Sequence, residues 1–111
     1  MDWEIVYFNE DLQSAVMRLP AGIQGRYIHL TQRMLAFGPD LGMPHSRAMG
    51  GGLFELRLKS KEGIGRVFFG VLPSRRIMML HAFMKKSQKT PAKELEIVRL
   101  RLEGVQGDAH A

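Results

Sequence analysis

Apolar and polar positions follow two periods along this chain, and the switches between them mark its elements. Asp2 to Phe8 (Asp-Trp-Glu-Ile-Val-Tyr-Phe) is rich in aromatic and β-branched side chains, which suit the pleated surface of a strand. Asn9 then has the side chain of a helix N-cap, and Glu10 and Asp11 stand where a helix dipole favours negative charge. Leu12, Val16 and Leu19 recur at helical spacing until Pro20 stops the run. Ile23, Tyr27, Leu30, Met34 and Phe37 follow at steps of four, three, four and three, an amphipathic helix closed by Gly38-Pro39. The short connection predicts a helical hairpin.

Residues 38–52 hold five glycines and two prolines and read as a loop. Gly50-Gly51-Gly52 is not a phosphate cradle, because it leads into a strand and no Gly-Lys-Ser/Thr enters a helix. Three strands follow. In Leu53 to Leu58, Phe54, Leu56 and Leu58 alternate with Glu55 and Arg57; Lys61-Glu62-Gly63 turns the chain into Ile64 to Leu72, an apolar run interrupted by Arg66. Pro73-Ser74 turns it again into Arg76 to Met84, and the short turns predict an antiparallel meander. Thr90 as N-cap and Pro91 at the first helical position open a last helix, with Leu95, Val98 and Leu102 on one face.

The expected fold is therefore α+β. A small antiparallel sheet in the order β-α-α-β-β-β-α carries its helices on one face, in one domain over residues 1–104. The tail over 105–111 has no pattern and is expected to be frayed. Strict alternation places Phe54, Leu56, Val67, Phe69, Met78 and Leu80 toward the helices. The other face then presents Glu55, Arg57, Arg66, Phe68, His81, Phe83 and Lys85. Two readings of that face are open. Cations with aromatics between them suit phosphates and stacked bases; alternatively Phe68 and Phe83 are core residues under the last helix, and the charges are its solvated rim.

Charge favours the first reading. The net charge of +5 hides an asymmetry: residues 1–56 carry four basic side chains (Arg18, Arg26, Arg33, Arg47) against six acidic ones. Residues 57–101 carry twelve basic side chains against Glu62, Glu94 and Glu96, a net of +9, and Glu103 and Asp108 follow. Positive charge concentrated in this way attracts a polyanion, most commonly nucleic acid. The absence of cysteine excludes disulfides and thiolate metal sites and fits a reducing compartment. Apolar runs such as Ile77 to Leu80 are far below the ~20 residues of a membrane span. The acidic start does not resemble a secretory signal. A soluble cytoplasmic protein without membrane contact is the expectation.

Enzymatic constellations are few. His29, His45, His81 and His110 are scattered with no HExxH, so neither a metal nor another cofactor is expected, and no serine lies in a nucleophile setting. RNA, however, supplies its own nucleophile, the 2′-hydroxyl. Its cleavage needs positioning, a proton acceptor, a proton donor and cations for the pentacovalent phosphate.

Leu53-Phe54-Glu55-Leu56-Arg57, then Gly65-Arg66-Val67-Phe68-Phe69, then Leu80-His81-Ala82-Phe83-Met84-Lys85-Lys86-Ser87-Gln88-Lys89-Thr90-Pro91 resembles the phage-derived HigB-like branch of the RelE/ParE toxin superfamily. Phe-x-Lys-Lys-x-x-x-Thr-Pro entering a helix is the most specific element, and the resemblance runs from about residue 3 to 103. It implies a RelE-like fold and a toxin of a type II toxin–antitoxin pair that cuts mRNA on the ribosome without a cofactor. A helix-turn-helix antitoxin is the implied partner. Glu55, Arg57, Arg66, Phe83, Lys85 and Lys86 occupy the matching positions. Arg57 and Arg66 are expected to hold the scissile phosphate, with Lys85 and Lys86 on flanking backbone and Lys89, Glu55, Phe68 and Phe83 in the RNA surface. His81 is the one neutral-range acid/base on that face and so a candidate catalytic residue, the alternative being a mere strand histidine. Some RelE relatives use a tyrosine near the chain end, whereas Tyr7 and Tyr27 both lie in the first third here, leaving the general base open. A gyrase inhibitor of the ParE type and a non-toxic nucleic-acid-binding module are the alternatives.

Overall fold

The computed structural model describes residues 2–85 and 91–110, with side chains through Gly107. Its elements are β1 (Glu4–Tyr7), α1 (Glu10–Met17), α2 (Ala21–Phe37), β2 (Ser46–Gly50), β3 (Leu53–Ser60), β4 (Gly63–Leu72), β5 (Arg76–Met84) and α3 (Ala92–His110). The fold is α+β, with five strands in the order β1-β5-β4-β3-β2. Each neighbouring pair from β2 to β5 is antiparallel, as the short turns required, but β1 runs parallel to β5, with Glu4 opposite Arg76, so the sheet is mixed.

The helical signals acted as expected at α1 and α2. Asn9 Oδ1 accepts from the Leu12 amide at 2.8 Å, and Gly38 N donates to Met34 O at 2.8 Å beyond the end of α2. Leu12, Val16, Ile23, Tyr27, Leu30 and Met34 are buried on Leu56, Leu58, Val67, Phe69, Ile77 and Met79 of the sheet. Phe37, at the end of the same stripe, stays 80 % exposed.

Three features depart from the sequence expectation. The first is a strand inside the glycine-rich segment: Ser46–Gly50 pairs with β3, closed by Gly51 and Gly52 at φ 64° and 83°. Positive φ at both central residues is the two-residue hairpin turn whose twist matches its strands, and glycine enters it without strain.

The second is the place of α3. It packs on the face opposite α1 and α2, where Leu95, Val98, Leu102 and Val105 close over Leu53, Phe68 and Leu80. Both faces of the sheet are therefore covered in part. β4 allows this close approach. A methyl on Gly65 would meet Ile23 Cγ2 at 2.8 Å on one side, and a methyl on Gly70 would meet Leu102 Cδ1 at 2.7 Å on the other. The tail expected to fray continues the helix to His110, held partly by Gln106 Nε2 donating to Gly51 O at 2.8 Å.

The third is a β-bulge. Phe68 pairs with His81 but Phe69 with Met79, so Leu80 is an extra residue on β5. Ile77 and Met79 consequently face α1 and α2, while Met78 and Leu80 turn to α3, the reverse of strict alternation. Beyond the bulge the expected parity holds: Ala82 and Met84 pack with α1 and α2, and Phe83 packs with α3. Among the described residues no helix is long and apolar enough to cross a membrane.

Candidate nucleic-acid interface

The register of the sheet lines up two rows of side chains on the α3 face. Arg47, Glu55, Phe68 and His81 stand side by side from β2 to β5, and Arg57, Arg66 and Phe83 form the next row. α3 covers the β5 end of these rows. The β2–β3 end stays open as a cleft of about 370 Å³, lined by Met43, Pro44, His45, Ser46, Arg47, Met49, Glu55, Arg57, Arg66 and Leu95.

Glu55 lies at its base. Its carboxylate accepts from Arg66 Nη1 at 2.6 Å, and both side chains are buried, while the half-exposed Arg47 stands 3.8 Å away. One buried acid thus orients two guanidinium groups, and Arg57 adds a third cation to the lining. Lys85, partly buried at the end of β5, completes the cluster. Desolvation first, then the charges of Arg66 and Arg57, push its ammonium below the ordinary lysine range, and Glu55 opposes them. The local balance is strongly positive in a concave, partly desolvated setting, which is where an anion gains most from each contact.

His45 stands at the mouth of the cleft, its backbone oxygen accepting from Arg57 N at 2.9 Å. Desolvation first, then Arg26 and Arg33, with a smaller effect of His29, keep its imidazole below the ordinary histidine value, hence neutral at pH 7. His45 and Arg47 were absent from the sequence expectation because they lay in the presumed loop. The available signal was Arg47 between small residues just before a Gly-Gly hairpin turn.

The other expected residues separate. Glu55, Arg57, Arg66 and Lys85 come together as described. His81 does not line the cleft: its Nε2 bonds to the carboxylate of Glu94 on α3, and its ring lies 5.5 Å from that of Phe83. Phe68 is fully buried under α3 and stacks on Phe83 with ring centroids 6.0 Å apart, so its ring has no open face for a base. Phe83 is partly buried beside Arg66. Lys86, Lys89 and the N-cap expected at Thr90 lie outside the described residues. Both tyrosines are on the far face, their hydroxyls 2.6 Å apart, and burial with this bond keeps Tyr27 protonated. Among the described residues no group of three or more His, Asp or Glu side chains is placed to hold a metal.

Compared with known families, residues 14–103 match the model described as "Phage derived protein Gp49-like (DUF891)". No curated protein matches the chain. The matched stretch runs from within α1 to within α3 and includes every described side chain of the cleft. The chain therefore belongs to the phage-derived Gp49-like protein family, which is in general a RelE-like, toxin-like family.

Proposed function

We propose that this protein is the toxin of a type II toxin–antitoxin pair, of the HigB-like branch, and that it cuts mRNA engaged on the ribosome. The observation that carries this reading is the convergence of Arg47, Arg57 and Arg66 around buried Glu55 in an open cleft, with the charge of Lys85 felt beside them.

The reaction is a transesterification. The 2′-oxygen of the RNA attacks the adjacent phosphorus, the P–O5′ bond breaks, and the products end in a 2′,3′-cyclic phosphate and a 5′-hydroxyl. Arg57 and Arg66 stabilise the doubly charged pentacovalent phosphate, a task suited to guanidinium because its planar fork gives two parallel hydrogen bonds. Neutral His45 takes the proton from the 2′-hydroxyl. Lys85, its acidity raised by desolvation and then by its cationic neighbours, returns a proton to the departing 5′-oxygen. Glu55 orients Arg66, and Met49 and Leu95 provide an apolar wall for a base. His81 positions α3 through Glu94 rather than touching the substrate.

Expression of the chain alone should arrest growth, and mapping RNA 5′ ends should show new cuts inside translated frames. Purified protein should cut message on ribosomes, and a helix-turn-helix partner should suppress the cutting. Intact messages together with blocked DNA supercoiling would replace this reading with gyrase inhibition of the ParE kind.

A further inference from the structure

A second positive concavity lies beside the cleft, at the edge of the sheet. β2 pairs with β3 only as far as Leu56, whereas β3 continues to Ser60. Over this open edge the chain at Pro44 and His45 covers one step, through the bond from Arg57 N to His45 O. Arg57 and Lys59 share one side of β3, about 6.7 Å apart at two strand residues. α2 packs on the other face and sends Arg26 around the edge. Arg26, Pro44, His45, Arg57 and Lys59 then enclose about 220 Å³.

Among the described residues no carboxylate lines this space. The influence of Arg26, Arg33 and His29 on His45 shows that the positive side of α2 converges here. Glu62, the acid nearest the start of α2, is engaged elsewhere, by Gly22 N at 2.6 Å. Cations collected without an acid repel one another in the folded chain, which is a cost unless an anion joins them. Pro44, His45 and Arg57 line both spaces, so the two form one track.

We infer that Arg26 and Lys59, with Arg57 and His45 at the junction, form a second phosphate subsite that holds the backbone of the same RNA strand beyond the scissile bond. This rests on the proposed RNA reading and adds to it a second point of grip, so that a strand several nucleotides long is held better than a dinucleotide. A mononucleotide fills one space. A strand fills both, and its backbone leaves the cleft over the Pro44–His45 ridge. Arg26 comes from the half of the sequence with net negative charge, so charge along the chain concealed it.

The test uses a non-cleavable 2′-O-methyl single-stranded RNA of about a dozen nucleotides, with binding followed by fluorescence anisotropy across salt concentrations. Each phosphate contact on a single strand contributes roughly 0.7 to the slope of log affinity against log salt. Arg26→Gln with Lys59→Gln should therefore lower the slope by about 1.4, counting one contact for each residue. Arg18→Gln, which removes one charge from a residue lining neither space, should leave the slope unchanged. A two-nucleotide RNA should bind parent and double variant alike. If the parent binds with a clear salt slope and the double variant keeps that slope, the subsite is overturned while the cleft reading stands. If the parent binds the strand neither free nor on a ribosome programmed with it, both fall.

Discussion

Replacing Arg66 by methionine separates what this residue does for the fold from what it does for substrate. The Arg66 and Glu55 side chains are 8 % and 6 % exposed and meet at 2.6 Å on neighbouring strands, so this is a buried pair. Removing one member of a buried pair leaves an uncompensated charge and costs roughly 3–5 kcal/mol. Arg47 remains 3.8 Å from Glu55, but its side chain is 52 % exposed, and such a contact returns only about 0.2–1 kcal/mol. Arg66→Met should therefore lose about 3 kcal/mol, or roughly 12 °C in Tm at about 4 °C per kcal/mol for a domain of this size. In the double variant Glu55→Leu/Arg66→Met no charge is stranded, and stability should return to within about 1 kcal/mol of the parent. Urea denaturation with an unchanged m-value is the assay. RNA cleavage should be lost in both variants, because the guanidinium is absent from both. A single variant within about 1 kcal/mol of the parent, or a double variant in which the two losses add, would refute the buried-pair argument.

Arg57→Ala, which leaves no buried acid behind, should slow cleavage by roughly a hundredfold or more with little change in Tm, measured by single-turnover kinetics beside a melt. Phe68→Ala should cost about 3–5 kcal/mol by denaturant titration, since its ring is fully enclosed between β4 and α3. Cleavage should show a bell-shaped pH profile. Its acid limb lies below about 6.5, because desolvation and then the neighbouring cations disfavour the imidazolium of His45, and its alkaline limb lies below about 10.5, where Lys85 loses its proton early. His45→Gln should remove the acid limb, and its persistence would assign the proton acceptor elsewhere. The same lowered value gives a stability effect of definite sign: near pH 6 the folded chain binds fewer protons at His45 than the unfolded one. Stability should therefore fall as the solution is acidified below about 6.5, and less so in His45→Gln.

Local signals were legible where one surface decided them. α2 announced itself because Ile23, Tyr27, Leu30 and Met34 need only one buried stripe, and Asn9 and Gly38 bracket the helical hairpin with their own chemistry. Arg57 and Arg66 were visible as charges in apolar strands. What the chain hid depends on partners distant in sequence. β2, from Ser46 to Gly50, has little β-branched content and becomes a strand because β3 offers it an open edge. The parallel pairing of β1 with β5 leaves no mark near either strand. The face chosen by α3 could not be read from its stripe, which states only that one side is buried. Of the two readings of the polar sheet face, each describes a part of it: Phe68 lies in the core under α3, and Glu55, Arg57 and Arg66 line an open cleft. His45 and Arg47 escaped notice because glycine-rich sequence around them reads as loop until the hairpin is seen.

The extra residue at Leu80 also sets how this strand can change over time. Side chains before it alternate in one frame and those beyond it in the other, so the seating of Ile77 and Met79 in the α1–α2 core and the placing of Phe83 and Lys85 on the side of Arg66 are joined at a frame correction one residue long. Exchange of Leu80 for another apolar residue disturbs packing at one point. Its deletion restores strict alternation. Either Ile77 and Met79 then leave the core, or Phe83 and Lys85 turn away from Arg66 and Glu55, since a one-residue slip reverses every side chain beyond it. Length is therefore the constrained quantity between Ile77 and Lys85, more than the identity of any single apolar residue. Insertions and deletions should be tolerated in the turns at either end and not within the strand, which ties the spacing of the cleft's cations to the strand's length.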